Sequence, residues 1–144
     1  MRVSDILKSK GSAVKTIEPK ASIRALARSL QSEDIGVMVV TDTVGSIKGI
    51  ISERDLARGL ADFGSDVSSM SVSDLMTTSV VTCSSEDSVA NVARIMTQRR
   101  IRHLPVVSGN KIIGLISIGD VLKHRLDEVQ LEANVLRDVA IARG

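Results

Sequence analysis

Gly49-Ile50-Ile51-Ser52-Glu53-Arg54-Asp55-Leu56 and Gly114-Leu115-Ile116-Ser117-Ile118-Gly119-Asp120-Val121 are two spellings of one pattern. In each, a glycine follows a turn, two β-formers precede a serine, and an aspartate stands three places after that serine. The likeness spreads outward: Thr16, Ser22, Ala27, Arg28 and Ile35 recur as Thr82, Ser88, Ala93, Arg94 and Ile101, each 66 positions on. Past the next turn the offset is 65, and upstream Val3-Ser4-Asp5-Ile6-Leu7 returns as Val72-Ser73-Asp74-Leu75-Met76 with an offset of 69. The length changes fall in loops, where insertions are tolerated, while spacing inside the elements is kept. A duplicated site is therefore expected.

Each copy reads as the same series of elements. Ser22 is placed to cap a helix whose apolar face is Ile23, Leu26, Ala27 and Leu30. Gly36 to Thr41 follows as a strand, Asp42-Thr43-Val44-Gly45 as a hairpin turn, and Ile47 to Ile51 as the returning strand. A helix with Leu56 and Leu60 begins after Ser52, and a short strand near Val14 to Ile17 opens the half. The second half predicts a strand at Val80 to Cys83, a Ser88-capped helix, strands at His103 to Val107 and Ile112 to Ser117 around Ser108-Gly109-Asn110, and a last helix. Between them, the serine-rich run Gly64 to Ser71 reads as a loop and internal linker. On the last helix, Leu122, Leu126, Val129, Ala133, Leu136 and Ala140 alternate spacings of four and three. Such a stripe covers either its own domain or another subunit, and its length favours the subunit.

Composition narrows the function. At 144 residues each half alone is marginal for burying a core, so the halves are expected to share one. No apolar run approaches the roughly 20 residues that span a bilayer, and the start does not read as a signal peptide, so a soluble cytoplasmic protein is expected. Cys83 is the single cysteine, which excludes an internal disulfide and disfavours a thiolate metal site. The net charge of +2 is nearly balanced, and with no Trp, no Tyr and only Phe63 there are no stacking platforms for single strands, so nucleic acid is an unlikely partner.

The Ser-x-x-Asp pairs have two readings. Either copy alone is a helix capping box, with Ser52 or Ser117 at the N-cap and Asp55 or Asp120 three residues on. Duplicated after a strand and at a helix start, where unpaired amides and the positive end of the dipole suit phosphate, the pairs also read as two anion sites. Gly49 and Gly114 relax steric limits beside them, and Thr16 and Thr82 recur at a matched distance.

In this ordered, duplicated set the chain resembles a pair of cystathionine-β-synthase (CBS) motifs, the tandem called a Bateman module, over nearly all residues from Val3 to about Leu126. It is similar to the modules inserted in IMP dehydrogenases and to short two-motif proteins. The resemblance implies an α+β fold in which two β-α-β-β-α motifs, residues 1–63 and 72–126, pack about a pseudo-twofold axis around the linker 64–71, with a C-terminal helix extension at 127–144. It also implies two clefts for adenosine compounds: AMP first, with ADP, ATP or NAD as alternatives. Cleft 1 would hold Thr16, Ile35, Gly36, Val37, Ser52, Arg54 and Asp55; cleft 2 would hold Thr82, Ile101, Arg102, His103, Pro105, Ser117 and Asp120. Asp55 and Asp120 would accept from ribose hydroxyls, Ser52 and Ser117 would contact phosphate, and the threonines, isoleucines and following strands would border adenine.

The copies differ in charge, since Arg99-Arg100-Ile101-Arg102-His103 aligns with Glu33-Asp34-Ile35-Gly36-Val37. Arg102 and His103 are read as phosphate contacts, Arg99 and Arg100 as surface, and the cleft of Asp120 is expected to be the better phosphate site. The leading functional expectation is a non-catalytic sensor that signals nucleotide to an unidentified regulated protein as a homodimer. The alternative is a ligand-independent dimerisation or interaction scaffold. An enzyme is disfavoured, because neither His103 nor His124 has an evident nucleophile beside it in sequence.

Overall fold

In a computed structural model, which describes residues 1–143, the repeat becomes two small sheets with helices around them. Helix α1 spans Val3–Lys10, strand β1 Thr16–Ile17, helix α2 Ile23–Glu33, strands β2 Val37–Thr41 and β3 Ile47–Ser52, and helix α3 Glu53–Phe63. A short 3-10 helix, Gly64–Ser69, leads to α4 (Val72–Leu75), α5 (Val89–Arg99), β4 (His103–Ser108), β5 (Lys111–Ser117) and α6 (Ile118–Arg143). The α+β class and the paired motifs expected from the sequence are both present. Gly144, the end of the expected helix extension, lies outside the described residues.

Local chemistry accounts for the elements. Ser22 and Ser88 accept hydrogen bonds from Ala25 N and Asn91 N at 3.1 and 3.0 Å, tying off the first turns of α2 and α5. Both helices end on a left-handed residue at the same repeat position, Asp34 with φ 53° and Arg100 with φ 54°, which turns the chain into the next strand. The β2–β3 and β4–β5 hairpins pair antiparallel and set Val37 opposite Ser52 and His103 opposite Ser117.

The opening strands are not equal. β1 pairs parallel with β2 through Thr16–Val39 and Ile17–Val40, whereas the strand expected at Val80 to Cys83 is reduced to one bridge, Cys83 with Val106. The counterpart of Val39 is Pro105, and a second pairing there would need an N–H that proline lacks. The run Gly64 to Ser71 also departs from a plain loop: it coils into the 3-10 helix, and Val67 and Met70 pack against the core of the first half.

The expected single shared core is two clusters, each built from both halves. Val3 and Ile6 of α1 are fully buried among Val89, Val92, Met96, Leu104 and Ile116 of the second half. Val72 of α4 is buried among Ile23, Leu26, Met38 and Ile51 of the first. Three pairs of backbone bonds repeat this exchange. Val3 N donates to Asp87 O as Val72 N donates to Ala21 O; Ser4 N to Ser85 O as Ser73 N to Pro19 O; Val89 N to Met1 O as Ile23 N to Met70 O. Each half therefore lends its opening helix to the other.

The two motif glycines sit where the lent helices come closest. A Cβ on Gly49 would lie 2.8 Å from both Met76 Sδ and Thr77 O, and one on Gly114 would lie 2.6 Å from Leu7 Cδ2. The relaxed steric limits expected at these glycines are used for packing against Met76 and Leu7, themselves repeat counterparts. Gly49→Ala is expected to cost about 1–3 kcal/mol because a backbone oxygen must move. Gly114→Ala should cost less, since a leucine tip can swing aside; urea midpoints of the two variants check the order.

Beyond the domain, α6 continues alone. Val121 and His124 are buried, with His124 Nε2 3.2 Å from Ser9 Oγ and Nδ1 3.0 Å from Asp120 O, and the Met1 ammonium pairs with Glu128 at 3.2 Å. From Val129 to Arg143 every residue is exposed.

Candidate functional site

A cavity of about 500 Å³ opens between the halves, within the size range of small-molecule sites. Its floor on one side is the β3–α3 junction, with Ile50, Ser52, Glu53, Arg54, Asp55 and Arg58, flanked by Gly36 and Val37 at the start of β2. Its other wall comes from the second half: Thr77, Ser79, Val80 and Val81 after α4, then Arg100, Ile101, Arg102, His103 and Pro105 entering β4. Gly36-Val37 and Arg102-His103 align in the repeat and here meet across one space.

The structure therefore regroups the expected clefts. Gly36, Val37, Ser52, Arg54 and Asp55 of cleft 1 line this cavity together with Ile101, Arg102, His103 and Pro105 assigned to cleft 2. Thr16 and Thr82 are exposed outside it, and Ile35 borders a separate hollow of about 470 Å³ with Ala27, Gln31 and Leu56. Ser117 and Asp120 do not line this cavity either. The segment after α5 instead shares this space with the other half's β3–α3 junction.

Arg100, read from the sequence as surface, is exposed and also lines the cavity, as does Arg58, which the sequence reading passed over. Arg58 stands four residues after Arg54, one helical turn, so a phosphate reading of Arg54 contained the signal for it. Arg54, Arg58, Arg100 and Arg102 all line the cavity, as do Glu53 and Asp55. The wall Thr77 to Val81 carried no sequence signal, because it belongs to the segment after the lent helix.

Both readings of Ser-x-x-Asp meet in the structure. Asp55 Oδ2 accepts from Ser52 N at 2.9 Å and from Ser52 Oγ at 3.2 Å. Asp120 Oδ2 accepts from Ser117 N at 2.9 Å, and Asp120 N donates to Ser117 Oγ at 3.1 Å. Both pairs are capping boxes. Asp55, only half-buried, also lines the open cavity, so its cap role does not remove it from that surface. Asp120 differs, since Lys10 Nζ donates to its Oδ2 at 2.6 Å and to Leu115 O at 2.8 Å. Burial pushes the Asp120 carboxyl up, but the bonds from Lys10 and Ser117 outweigh it and hold the group below the ordinary carboxylate value.

His103 stands at the second wall. Burial pushes its imidazole below the ordinary value, the charge of Lys10 acts the same way, Asp120 opposes, and Arg102 adds to the lowering. Cys83, buried under β4, has its thiol pushed up to about 12 by burial and by Asp87, which leaves it a packing group. Among the described residues there is no group of three or more His, Cys, Asp or Glu side chains placed for a metal, and no helix is long and apolar enough to cross a membrane.

The CBS domain family model matches residues 3–62 and again 72–127, and the chain belongs to that family as a tandem pair. It is similar to the mitochondrial CBS domain-containing protein CBSX3 of Arabidopsis thaliana, 31% identical over 92% of this chain and 71% of that one. Some curated relatives are longer, and the chain spans about a third of two of them, 34% and 37%. Among solved structures, a CBS-domain-containing protein from Agrobacterium tumefaciens superposes with a TM-score of 0.83 at 42% identity, covering 87% of this chain and 99% of that one. The CBS domain pair of protein MJ0100, determined in complex with 5′-methylthioadenosine and S-adenosyl-L-methionine, superposes with a TM-score of 0.78 at 26% identity, covering 89% and 98%.

The lowered His103 value has a consequence for stability. The unfolded chain takes up this proton near 6.5, the folded chain only at lower pH. The stability associated with neutral His103 is thus fully present above 6.5 and is lost as pH falls through the folded value. His103→Asn is expected to flatten that acid limb, read from urea midpoints between about pH 7.5 and about pH 5.

Proposed function

We propose that this CBS pair binds an adenosine compound in the cavity between its halves and acts as a non-catalytic regulatory module. The observation that carries the reading is the cavity itself: a carboxylate for a ribose diol at Asp55, the amide end of α3 beside it, and four guanidinium groups around the mouth. The complex of the related MJ0100 pair with two adenosine derivatives supports the ligand class. The arginines favour a phosphorylated member, AMP first and then ADP, ATP or NAD, over an uncharged nucleoside. Val80, Val81, Ile101 and Pro105 supply the apolar wall for a base.

Because the walls come from both halves, a ligand bridges them and shifts their relative placement by the difference in its affinity for two arrangements. A regulated partner would read that shift. In titration calorimetry AMP is expected to bind more tightly than adenosine, and Arg58→Ala or Arg100→Ala should each weaken it about tenfold or more. No heat with AMP, ADP, ATP, NAD or S-adenosyl-L-methionine would leave the ligand-independent scaffold.

The partner in the dimer is read from α6. Its 26 residues reach about 39 Å. The stripe Leu122, Leu126, Val129, Leu136 is exposed, and so is a second one, Leu131, Val135 and Val139, which continues the buried face of Val121 and His124 on roughly the opposite side. A helix apolar on two sides needs cover on both, and a second copy of the chain supplies helix against helix. Leu126→Glu with Val129→Glu is expected to halve the mass measured by light scattering; an unchanged mass would rule this contact out.

A further inference from the structure

We propose that this pair holds one adenosine ligand per chain rather than two, because Lys10 is the built-in occupant of the cleft that belongs to Asp120. The inference rests on the adenosine reading above and deepens it by fixing stoichiometry and the residue that sets it.

Asp55 and Asp120 occupy the same repeat position and each accepts the amide of its own serine at 2.9 Å. What approaches them differs. After α4, which has four helical residues, the chain leaves the helix, and Thr77 exchanges two 2.9 Å bonds with Ile50 on the β3 edge. Ser79 then stands at the cavity wall with a short side chain. Helix α1 has eight residues and continues a turn further to Lys10, the counterpart of Ser79 at the offset of 69.

The Lys10 ammonium donates to Asp120 Oδ2 at 2.6 Å and to Leu115 O at 2.8 Å, which sets the lysine side chain across the start of α6. The oxygen that already accepts from Ser117 thus also accepts from a cation of the chain itself, so the carboxylate is neutralised and one of its two oxygens is engaged before any ribose diol approaches. A ligand entering there would have to separate a contact pair whose two side chains are 38% and 25% exposed, whereas the cavity at Asp55 has no lysine at this position. The exchange of opening helices makes this possible, since Lys10 reaches the second half only because α1 packs there.

The test is stoichiometry by equilibrium dialysis with AMP on the intact chain, with circular dichroism confirming that each variant is folded. Wild type is expected to hold one AMP per chain, Lys10→Ser two, and Ser79→Lys none, since the last moves the plug to the open cavity. Lys10→Ala should match Lys10→Ser. Two AMP on wild type, or one on both lysine variants, overturns the plug while leaving the adenosine reading intact. Loss of binding in Lys10→Ser would make Lys10 a ligand contact and overturn it too. Failure of the adenosine reading looks different: no AMP on any of these proteins, in which case the plug falls with it.

Discussion

Everything in this fold hangs on the exchange of α1 and α4 between the two halves. Full burial of a valine or isoleucine contributes about 1.5–3 kcal/mol, and Val3, Ile6 and Val72 are each completely buried in the core of the half to which they do not belong by repeat. Three matched pairs of backbone bonds fix the loan in place. Neither half closes its core without the other, so the pair is one cooperative body. Gly49 and Gly114 belong to this constraint, because the borrowed helix lies against strand backbone at a distance only glycine allows.

The exchange also shapes the site. The segment that leaves α4 runs along β3 and becomes a wall of the cavity, and the segment that opens β4 shares that space with the start of α3. A cavity built this way takes its walls from both halves. Its charge follows a difference between the copies: Arg99-Arg100 stands in one where Glu33-Asp34 stands in the other, and Arg100 lines the cavity with Arg54 and Arg58. A like difference puts a lysine at position 10 where its counterpart is a serine, so one capping aspartate lines the open cavity and the other meets an ammonium group.

Much of the fold was legible in the chain because it is written twice. Hairpin turns at Asp42 to Gly45 and around Gly109, serine caps at Ser22 and Ser88, and the strand–Ser-x-x-Asp–helix order all depend on nearest neighbours, and all appear where the spacing puts them. The departures have equally local causes, such as Pro105, whose missing N–H shortens the opening strand of the second half. Of the candidate site, Ser52, Asp55, Arg54, Arg102 and His103 were picked out by motif and line the cavity. Thr16, Thr82, Ser117 and Asp120 were picked out by the same logic and do not.

The sequence by itself determined the duplication, the order of elements in each copy, the capping pairs and the apolar stripe of α6, since each is set by spacing along one stretch of backbone. Only the tertiary structure decided which copy's residues face which. Pairing motifs within their own repeat is the natural reading of a one-dimensional pattern, but a core closed by a borrowed helix brings the end of one repeat against the middle of the other. That crossing sets Asp55 and Arg100 around one cavity and pairs Lys10 with Asp120, residues far apart in the chain whose meeting no periodicity records.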